Sequence, residues 1–232
     1  MNLKPVSHRF TGLLWGILIT FFCGSVSPVL AQKPDNPTIW EKEIMAFEKS
    51  DSLKMPPPGG ILFVGSSSVR GWRSVGQDFP DKPVLNRGFG GSRIGDAVYY
   101  FDRIIKKYQP RQIFFYAGDN DIASGKNADM TFEKFKAFAK KVRDELPKTE
   151  LVYLSIKPSP ARWSMYPESE KANKKIKRYA WWHRKVKFVD VSTPMLGPDG
   201  KPRPELYIGD GIHMTPAGYK LWVEIVKPYL AK

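Results

Sequence analysis

The sequence predicts an α/β fold of three layers, with a five-stranded parallel sheet between two layers of helices. Two observations lead to this prediction. Short apolar runs, rich in β-branched and aromatic residues, occur five times in the chain of 232 residues, and segments with apolar residues at helical spacing separate them. Alternation of this kind is typical of parallel strands joined by helices. The chain is also long enough for one domain with a substantial core.

The first 31 residues differ in kind from the rest and are predicted to be a signal peptide. Lys4 and Arg9 precede an apolar run over residues 13–22, and small residues lead up to Ala31. This is the layout of a secretory leader that is cleaved near Ala31. The apolar run is shorter than the roughly 20 residues of a membrane-spanning helix, although an uncleaved membrane anchor stays the alternative. We therefore expect export to the periplasm or the cell exterior.

The cysteine and histidine counts and the net charge limit which kinds of site and which partners the mature chain can have. The only cysteine, Cys23, lies in the predicted leader, so neither disulfides nor thiolate metal ligands are expected. No other metal site or cofactor is expected, because the mature chain has only two histidines, His183 and His213, far apart in sequence and outside any HExxH-type cluster. The leader holds two basic and no acidic residues, which leaves the remaining chain with a net charge of +12. Such a charge favours anionic partners, and for an exported protein these are lipid or polysaccharide rather than nucleic acid.

Residues 32–60 are predicted to form an N-terminal helix and a linker that pack on the main domain, residues 61–232. Apolar residues recur at helical spacing from residue 38 to residue 50. Thr38 and Glu41 match the spacing of a capping box at the start of this helix. The Pro- and Gly-rich stretch 55–60 is expected to be a non-helical connection.

The main domain alternates strands and helices. Strands are predicted at 61–64, 83–86, 112–117, 150–156 and 187–191. Helices are predicted at 94–108, 131–146, 168–183 and from residue 214 or 215 onward. Because the strands are parallel, the turns that follow them should gather at one edge of the sheet, where open α/β sheets bind their ligands.

The helix predicted at 168–183 is strongly basic, and Ile176, Ala180 and Trp181 are expected to face inward. Its basic residues are Lys171, Lys174, Lys175, Lys177 and Arg178. Two interpretations stay open for the basic segment 171–187. It is either a solvated face or a patch that binds an anionic surface.

Residue types suited to acyl chemistry stand in the turns. Ser67 follows the first predicted strand, Gly91 the second and Asn120 the third. Asp210 and His213 precede the last helix, and a spacing of three lets a carboxylate orient an imidazole across one turn. Ser67 is therefore the candidate nucleophile and His213 the candidate general base. The alternatives are that the serines at 66–68 only cap the next helix, and that His183 is the functional histidine rather than a surface or packing residue.

Four short motifs together resemble the SGNH, or GDSL-type, hydrolase family over about residues 60–230. They are Gly65-Ser66-Ser67, Asn86-Arg87-Gly88-Phe89-Gly90-Gly91, Gly118-Asp119-Asn120-Asp121 and Asp210-Gly211-Ile212-His213, in the family's order. One position departs from the family pattern, since Ser66 stands where an aspartate usually precedes the nucleophile. The α/β-hydrolase elbow G-x-S-x-G fits less well, because Val69 occupies the place of its second glycine.

The resemblance implies an esterase or lipase with a triad of Ser67, His213 and Asp210. It implies an oxyanion hole built from the backbone N–H groups of Ser67 and Gly91 and the side-chain amide of Asn120. The expected substrates are acyl or acetyl esters of lipids or carbohydrates. Two other activities stay open: an O-acyltransferase with the same triad, and a binding domain that has lost the chemistry.

Residues after the fourth strand are candidates for binding the substrate. Arg162, Trp163 and Tyr166 are polar or aromatic and lie near the predicted edge of the sheet. They are expected either to line a site for the leaving group or to pack within the loop.

Overall fold

The sheet is built as the apolar runs predict. The fold is that of a computed structural model, which describes residues 1–2 and 36–231. The five strands are β1 (Ile61–Gly65), β2 (Val84–Gly88), β3 (Gln112–Tyr116), β4 (Glu150–Leu154) and β5 (Val186–Val189). They lie in the order β2-β1-β3-β4-β5, and all four neighbouring pairs are parallel. The chain leaves β1 in one direction to reach β2 and returns past it to β3, which makes the β1/β3 border the switch point of the sheet.

Helices cover both faces of this sheet and confirm the three-layer prediction. They are α1 (Glu41–Leu53), α2 (Ser67–Gly71), α3 (Val75–Asp78), α4 (Ile94–Tyr99), α5 (Phe101–Ile104), α6 (Asp119–Ala123), α7 (Ala128–Glu145), α8 (Tyr166–Trp182) and α9 (Pro216–Val226). Short 3-10 helices lie at Pro37–Trp40, Lys106–Tyr108, Pro160–Met165, Thr193–Met195, Pro204–Leu206 and Lys227–Tyr229.

Successive strand residues point to opposite faces and enter two separate cores. Leu62 and Val64 of β1 join the core beneath α1, α4, α5, α7 and α8, whereas Ile61 and Phe63 join the core beneath α2, α3 and α9. All five residues of β1 are buried. A strand that is apolar on both faces fits only between two helical layers.

Three local predictions were wrong. The helix expected at 94–108 is divided into α4, α5 and a 3-10 turn, because the backbone leaves helical geometry at Tyr100, with φ of −89° and ψ of 10°, and at Ile105, with φ of −131° and ψ of −64°. The buried Tyr100 also makes a distant contact, since its hydroxyl donates to the Pro37 carbonyl oxygen at 3.0 Å. No capping box forms at Thr38 and Glu41. The Thr38 hydroxyl donates to Asn36, and the Glu41 carboxylate binds Arg103 instead.

Trp181 is the third exception, since it does not face inward. Its exposed fraction is 83%. Ala172 and Ile176 set the buried face of α8, and the next residue packed against the core on that face is Tyr179. The ring of Tyr179 stacks on His183, which places this histidine in packing as expected.

The predicted signal peptide falls almost entirely outside the described residues, including its apolar run and its cleavage site. Within the part of the chain that the structure describes, no helix combines the length and apolar character needed to cross a bilayer. The described residues from 36 onward belong to the second of the two units into which the chain divides, Ala31–Lys232.

A buried ion cluster fastens α1 to the sheet. Arg87 of β2 pairs with Asp51 of α1, and both side chains are less than 10% exposed. The Tyr108 hydroxyl donates to Asp51 at 2.5 Å and accepts from Arg87 Nε at 2.6 Å, and Lys107 reaches the same carboxylate at 2.5 Å. Each buried charge therefore has a partner, which is the condition under which burial of charge is tolerated.

The substitution Asp51→Ala should destabilise the fold by about 3–5 kcal/mol, because it leaves the Arg87 guanidinium buried without its carboxylate. Chemical denaturation monitored by circular dichroism measures the free energy of unfolding. Lys49→Ala, at an exposed position of the same helix, is the control and should change stability by about 0.5 kcal/mol or less. A loss for Asp51→Ala no larger than for Lys49→Ala would mean that the cluster does not hold α1 in place.

Candidate active site

Ser67 is placed by an unusually close approach of two strands. Gly65 ends β1 with φ of +143°, and a Cβ at this position would lie 1.9 Å from the Tyr116 carbonyl oxygen of β3. Only glycine fits there. The backbone N–H of Ser66 donates to that same oxygen at 3.0 Å, and Ser67 then begins α2 at the carboxyl edge of the sheet.

The structure brings Ser67, His213 and Asp210 into one hydrogen-bonded line. His213 Nε2 lies 2.9 Å from Ser67 Oγ, and His213 Nδ1 lies 2.5 Å from Asp210 Oδ2. Because a carboxylate only accepts, the proton of the neutral ring belongs on Nδ1, and Nε2 is left to accept the serine proton. This is the arrangement that activates a serine hydroxyl.

Asp210 is held ionised by the loop that it shares with His213. Burial alone would raise the pKa of Asp210, but hydrogen bonds outweigh this effect and lower its pKa to about 2. The donors are the His213 ring and the backbone N–H groups of His213 and Ile212, the last two at 2.9 Å and 2.8 Å from Oδ1. Gly211 makes the turn possible with φ of +64°.

The neighbouring serines are placed differently from Ser67. Ser66 Oγ and Ser68 Oγ are buried, and neither has a hydrogen-bond partner among the described residues. Ser66 precedes α2, but its side chain makes no capping bond to that helix. Of the three serines, Ser67 is therefore the one in contact with the histidine.

Two backbone N–H groups and one side-chain amide are candidate donors in the turns after β1, β2 and β3. Within the described part of the chain, the backbone N–H groups of Ser67 and Gly91 donate to no protein acceptor. Asn120, in the first turn of α6, lies next to Gly91, since a Cβ added to that glycine would be 3.8 Å from Asn120 Nδ2. One hydrogen of Nδ2 is bound by the Ser92 carbonyl oxygen at 3.2 Å, which leaves the second for another acceptor.

The glycine turn that carries Gly91 is supported from two sides. The N–H of Gly90 donates to Glu43 of α1 at 3.0 Å, and a Cβ on Gly90 would lie 1.9 Å from the Trp40 ring. On the other side, buried Asp121 accepts the N–H of Ile94 at 3.0 Å. Burial raises the pKa of Asp121 to about 6 against the opposing effect of this hydrogen bond.

Arg162 binds Asn120, a contact that the sequence did not predict. Arg162 Nη1 donates to Asn120 Oδ1 at 3.0 Å and lies 3.3 Å from Asp119 Oδ2. A guanidinium has donors only, so the amide oxygen must face it, and the amide nitrogen is left to face the Ser92 carbonyl oxygen. Trp163 and Tyr166, which were grouped with Arg162, stack on each other with ring centroids 5.0 Å apart.

Lys157 is a residue of the site that the sequence analysis did not single out. It follows β4 and is only 2% exposed, and its Nζ donates to the Ile212 carbonyl oxygen at 2.8 Å and to Ser159 Oγ at 3.1 Å. The first contact holds the loop between Asp210 and His213. The sequence places this lysine directly after a predicted buried strand and so near the sheet edge, but it does not indicate which groups the side chain binds.

No group of three or more His, Cys, Asp or Glu side chains among the described residues is arranged to hold a metal ion.

Comparison with known proteins identifies the family of the chain. The model of the GDSL-like lipase/acylhydrolase family matches residues 60–221, well over half of the chain. The chain belongs to this family. It is therefore a hydrolase that acts on ester bonds. Comparison with curated protein sequences found no match.

Solved structures share the fold of this GDSL-like hydrolase at low sequence identity. A Streptococcus pneumonia protein provisionally designated a platelet activating factor is 24% identical, with a TM-score of 0.73 over 83% of this chain and 94% of its own. A GDSL-like lipase from Bacteroides thetaiotaomicron is 22% identical, with a TM-score of 0.68 over 80% and 96%. Axe2, an acetylxylan esterase from Geobacillus stearothermophilus, is 14% identical, with a TM-score of 0.58 over 74% and 94%.

Replacing Lys157 should change how the stability of the hydrolase depends on pH. Burial lowers the pKa of Lys157 from 10.5 to about 8. Between these values the unfolded chain binds more protons than the folded one, so stability rises with pH over this window. Lys157→Met removes this rise, which for a shift of this size is about 3 kcal/mol.

The measurement is urea denaturation of the wild type and Lys157→Met at several pH values from below 8 to above 10.5. The free energy of unfolding of the wild type, relative to that of Lys157→Met, should increase across this range. Lys42→Met, at an exposed position of α1, should keep the wild-type slope. If the free energies of unfolding of the wild type and Lys157→Met changed with pH in parallel, burial would not lower the pKa of Lys157.

Proposed function

We propose that this protein is an exported serine hydrolase that cleaves carboxylic esters through Ser67, His213 and Asp210. The observation that carries the proposal is the 2.9 Å contact between His213 Nε2 and Ser67 Oγ, in line with Asp210. Export rests on the leader pattern of residues 1–31.

In the first half of the reaction, His213 takes the proton of Ser67 as Oγ attacks the acyl carbonyl carbon. Asp210 keeps the ring oriented and stabilises its charged form. His213 then gives the proton to the departing alcohol oxygen, and the acyl group stays on Ser67 as an ester. In the second half, His213 activates a water that attacks this ester, and the acid leaves as Ser67 regains its proton.

The negative charge of each tetrahedral intermediate develops on the former carbonyl oxygen. The backbone N–H groups of Ser67 and Gly91 and the free Nδ2 hydrogen of Asn120 are the donors that would hold it. Donors fixed in advance are effective because no reorganisation is needed when the charge appears. Arg162 serves as a positioning residue, since it fixes which end of the Asn120 amide faces the oxyanion.

The substrate class is an acyl or acetyl ester of a lipid or a carbohydrate. The side chains of His213 and Asp210 are 37% and 40% exposed, so the site lies close to the surface. A shallow site accepts a bulky alcohol such as a sugar and admits water for the second half of the reaction. Axe2, which shares the fold, is an acetylxylan esterase, and this supports including acetylated carbohydrates among the candidates.

A fluorophosphonate probe should form a covalent adduct with the wild type and none with Ser67→Ala, as measured by intact mass. Ser68→Ala is the matched control and should be labelled like the wild type, because Ser68 does not contact His213. Labelling of Ser67→Ala would move the nucleophile to a neighbouring serine. No labelling of either folded protein would favour a binding domain without catalysis.

The pair Asn120 and Arg162 should behave as one unit in a double-mutant cycle. Asn120→Ala should lower kcat roughly 100–1000-fold, the usual cost of one oxyanion donor, with little change in KM. Arg162→Met should lower kcat roughly tenfold by letting the amide turn. The double variant should be no slower than Asn120→Ala, because Arg162 has nothing left to position.

Steady-state kinetics with an activated acetyl ester gives kcat and KM for all four proteins, and thermal unfolding checks that each is folded. Multiplicative losses in the double variant would mean that Arg162 acts independently of Asn120. A loss confined to KM in Asn120→Ala would remove this residue from the oxyanion hole.

A further inference from the structure

The end of α8 exposes two tryptophans side by side. Trp181 is 83% exposed and Trp182 is 76% exposed, and no other tryptophan in the described chain is among the exposed large hydrophobic residues. An indole in water gives up the burial that stabilises most aromatic side chains. Two adjacent exposed indoles therefore indicate a surface that binds a partner.

Basic residues surround these indoles. On α8, Lys174, Lys177, Arg178 and Trp181 stand three or four residues apart and so form one exposed stripe along the helix. Arg184 follows Trp182 after one histidine. We call these six residues, Lys174, Lys177, Arg178, Trp181, Trp182 and Arg184, the α8 face.

The charge of the α8 face is largely uncompensated. Within the described chain, Lys177, Arg178 and Arg184 form no ion pair, whereas Lys174 is paired with Glu170. Other cations of the same helix do have partners, such as Lys171 with Glu168 and Lys175 with Asp129. The unpaired cations thus concentrate at the end of α8 that carries the tryptophans.

This end of α8 lies away from the active site. Strand β4 ends at Leu154 on the carboxyl edge of the sheet, and α8 runs back to the opposite edge, where β5 begins at Val186. A helix of 17 residues spans about 25 Å. The α8 face is therefore separate from Ser67 and has no part in the ester hydrolysis proposed above.

We propose that the α8 face docks on the surface of an anionic phospholipid membrane. Tryptophan is the side chain that prefers the headgroup level of a bilayer, with its ring among the acyl chains and its N–H near water. Lysine and arginine beside it add attraction to anionic headgroups. A polyanion without apolar groups would bind the lysine and arginine side chains but would leave both indole rings in water. An anionic bilayer offers both negative charge and acyl chains, and it is therefore the favoured partner.

The geometry sets the orientation of the bound enzyme. With the tryptophan end of α8 on the lipid, the carboxyl edge of the sheet lies toward the other end of that helix and away from the lipid contact. Ser67 then faces the aqueous phase, where it meets soluble or polymeric esters rather than the acyl chains of the lipid on which the enzyme rests. Membrane attachment would hold the hydrolase in place without supplying its substrate.

The test is co-sedimentation with vesicles, using the protein recovered from cells that produce the full chain, with its N-terminus read by intact mass. One vesicle is phosphatidylcholine alone, and the other contains roughly one third phosphatidylglycerol. Binding should be at least about tenfold stronger to the anionic vesicle and should weaken with added salt. The tryptophan emission should shift to shorter wavelength on binding.

Two variants assign the binding to the α8 face. Lys177→Glu with Arg178→Glu should weaken binding to the anionic vesicle roughly thirtyfold or more. Trp181→Ala with Trp182→Ala should weaken it at least about tenfold and abolish the emission shift. The controls are Lys42→Glu with Lys49→Glu, which changes net charge equally at exposed positions of α1, and Tyr99→Ala, which removes another exposed ring. Both controls should bind nearly as the wild type does.

Equal binding to both vesicles, or wild-type binding by either α8 variant, would overturn the proposal. So would a wild-type dimer in analytical ultracentrifugation that Trp181→Ala with Trp182→Ala dissociates, since the α8 face would then cover a second copy. Binding to an acidic polysaccharide without binding to anionic vesicles would overturn it as well. Ser67→Ala should bind vesicles like the wild type, so failure of the proposed catalysis and failure of the docking are distinguishable.

Discussion

The contact of β1 with β3 at Gly65 determines where the nucleophile candidate Ser67 lies. Because Gly65 has no side chain, the end of β1 can approach the Tyr116 carbonyl oxygen and turn at once into α2. That turn sets Ser67 beside the start of α6, which carries Asn120. The same edge receives the loop with Asp210 and His213 from the far end of the chain, so one tight strand border organises residues 146 positions apart.

The interactions at the site divide into local and distant ones. Asp210 and His213 share one short loop, and their hydrogen bonds form within four residues of chain. Ser67, Gly91 and Asn120 belong to separate elements, and their relative placement depends on how those elements pack. The two basic residues Lys157 and Arg162 link these parts, since one holds the Ile212 carbonyl and the other holds the Asn120 amide. Both come from the segment after β4, so this one segment holds the Asp210–His213 loop and the Asn120 side chain in place.

A structural feature can be predicted from the sequence when neighbouring residues determine it, and not when it depends on a partner far away in the chain. The five strands are short apolar runs that can be recognised without knowledge of the tertiary structure. Their predicted first and last residues lie within two residues of the observed ones. The four motifs locate Ser67, Gly91, Asn120 and the Asp210–His213 loop for the same reason. Features that depend on a distant partner were not predictable. The Tyr100 hydroxyl binds the distant Pro37 carbonyl oxygen, and the Glu41 carboxylate binds Arg103 rather than capping a helix. The contacts of Lys157 and Arg162 are of this second kind, because no pattern in the sequence says which loop a side chain will meet.

The packing of α1 shows that this helix is part of the folding unit that contains the active site. The family match starts at residue 60, yet Glu43 and Trp40 support the glycine turn and Asp51 satisfies a buried arginine of β2. A boundary drawn from family similarity would therefore cut through the folding unit rather than beside it. For this hydrolase, buried charges and backbone contacts mark the limit of the folding unit better than the extent of the family match does.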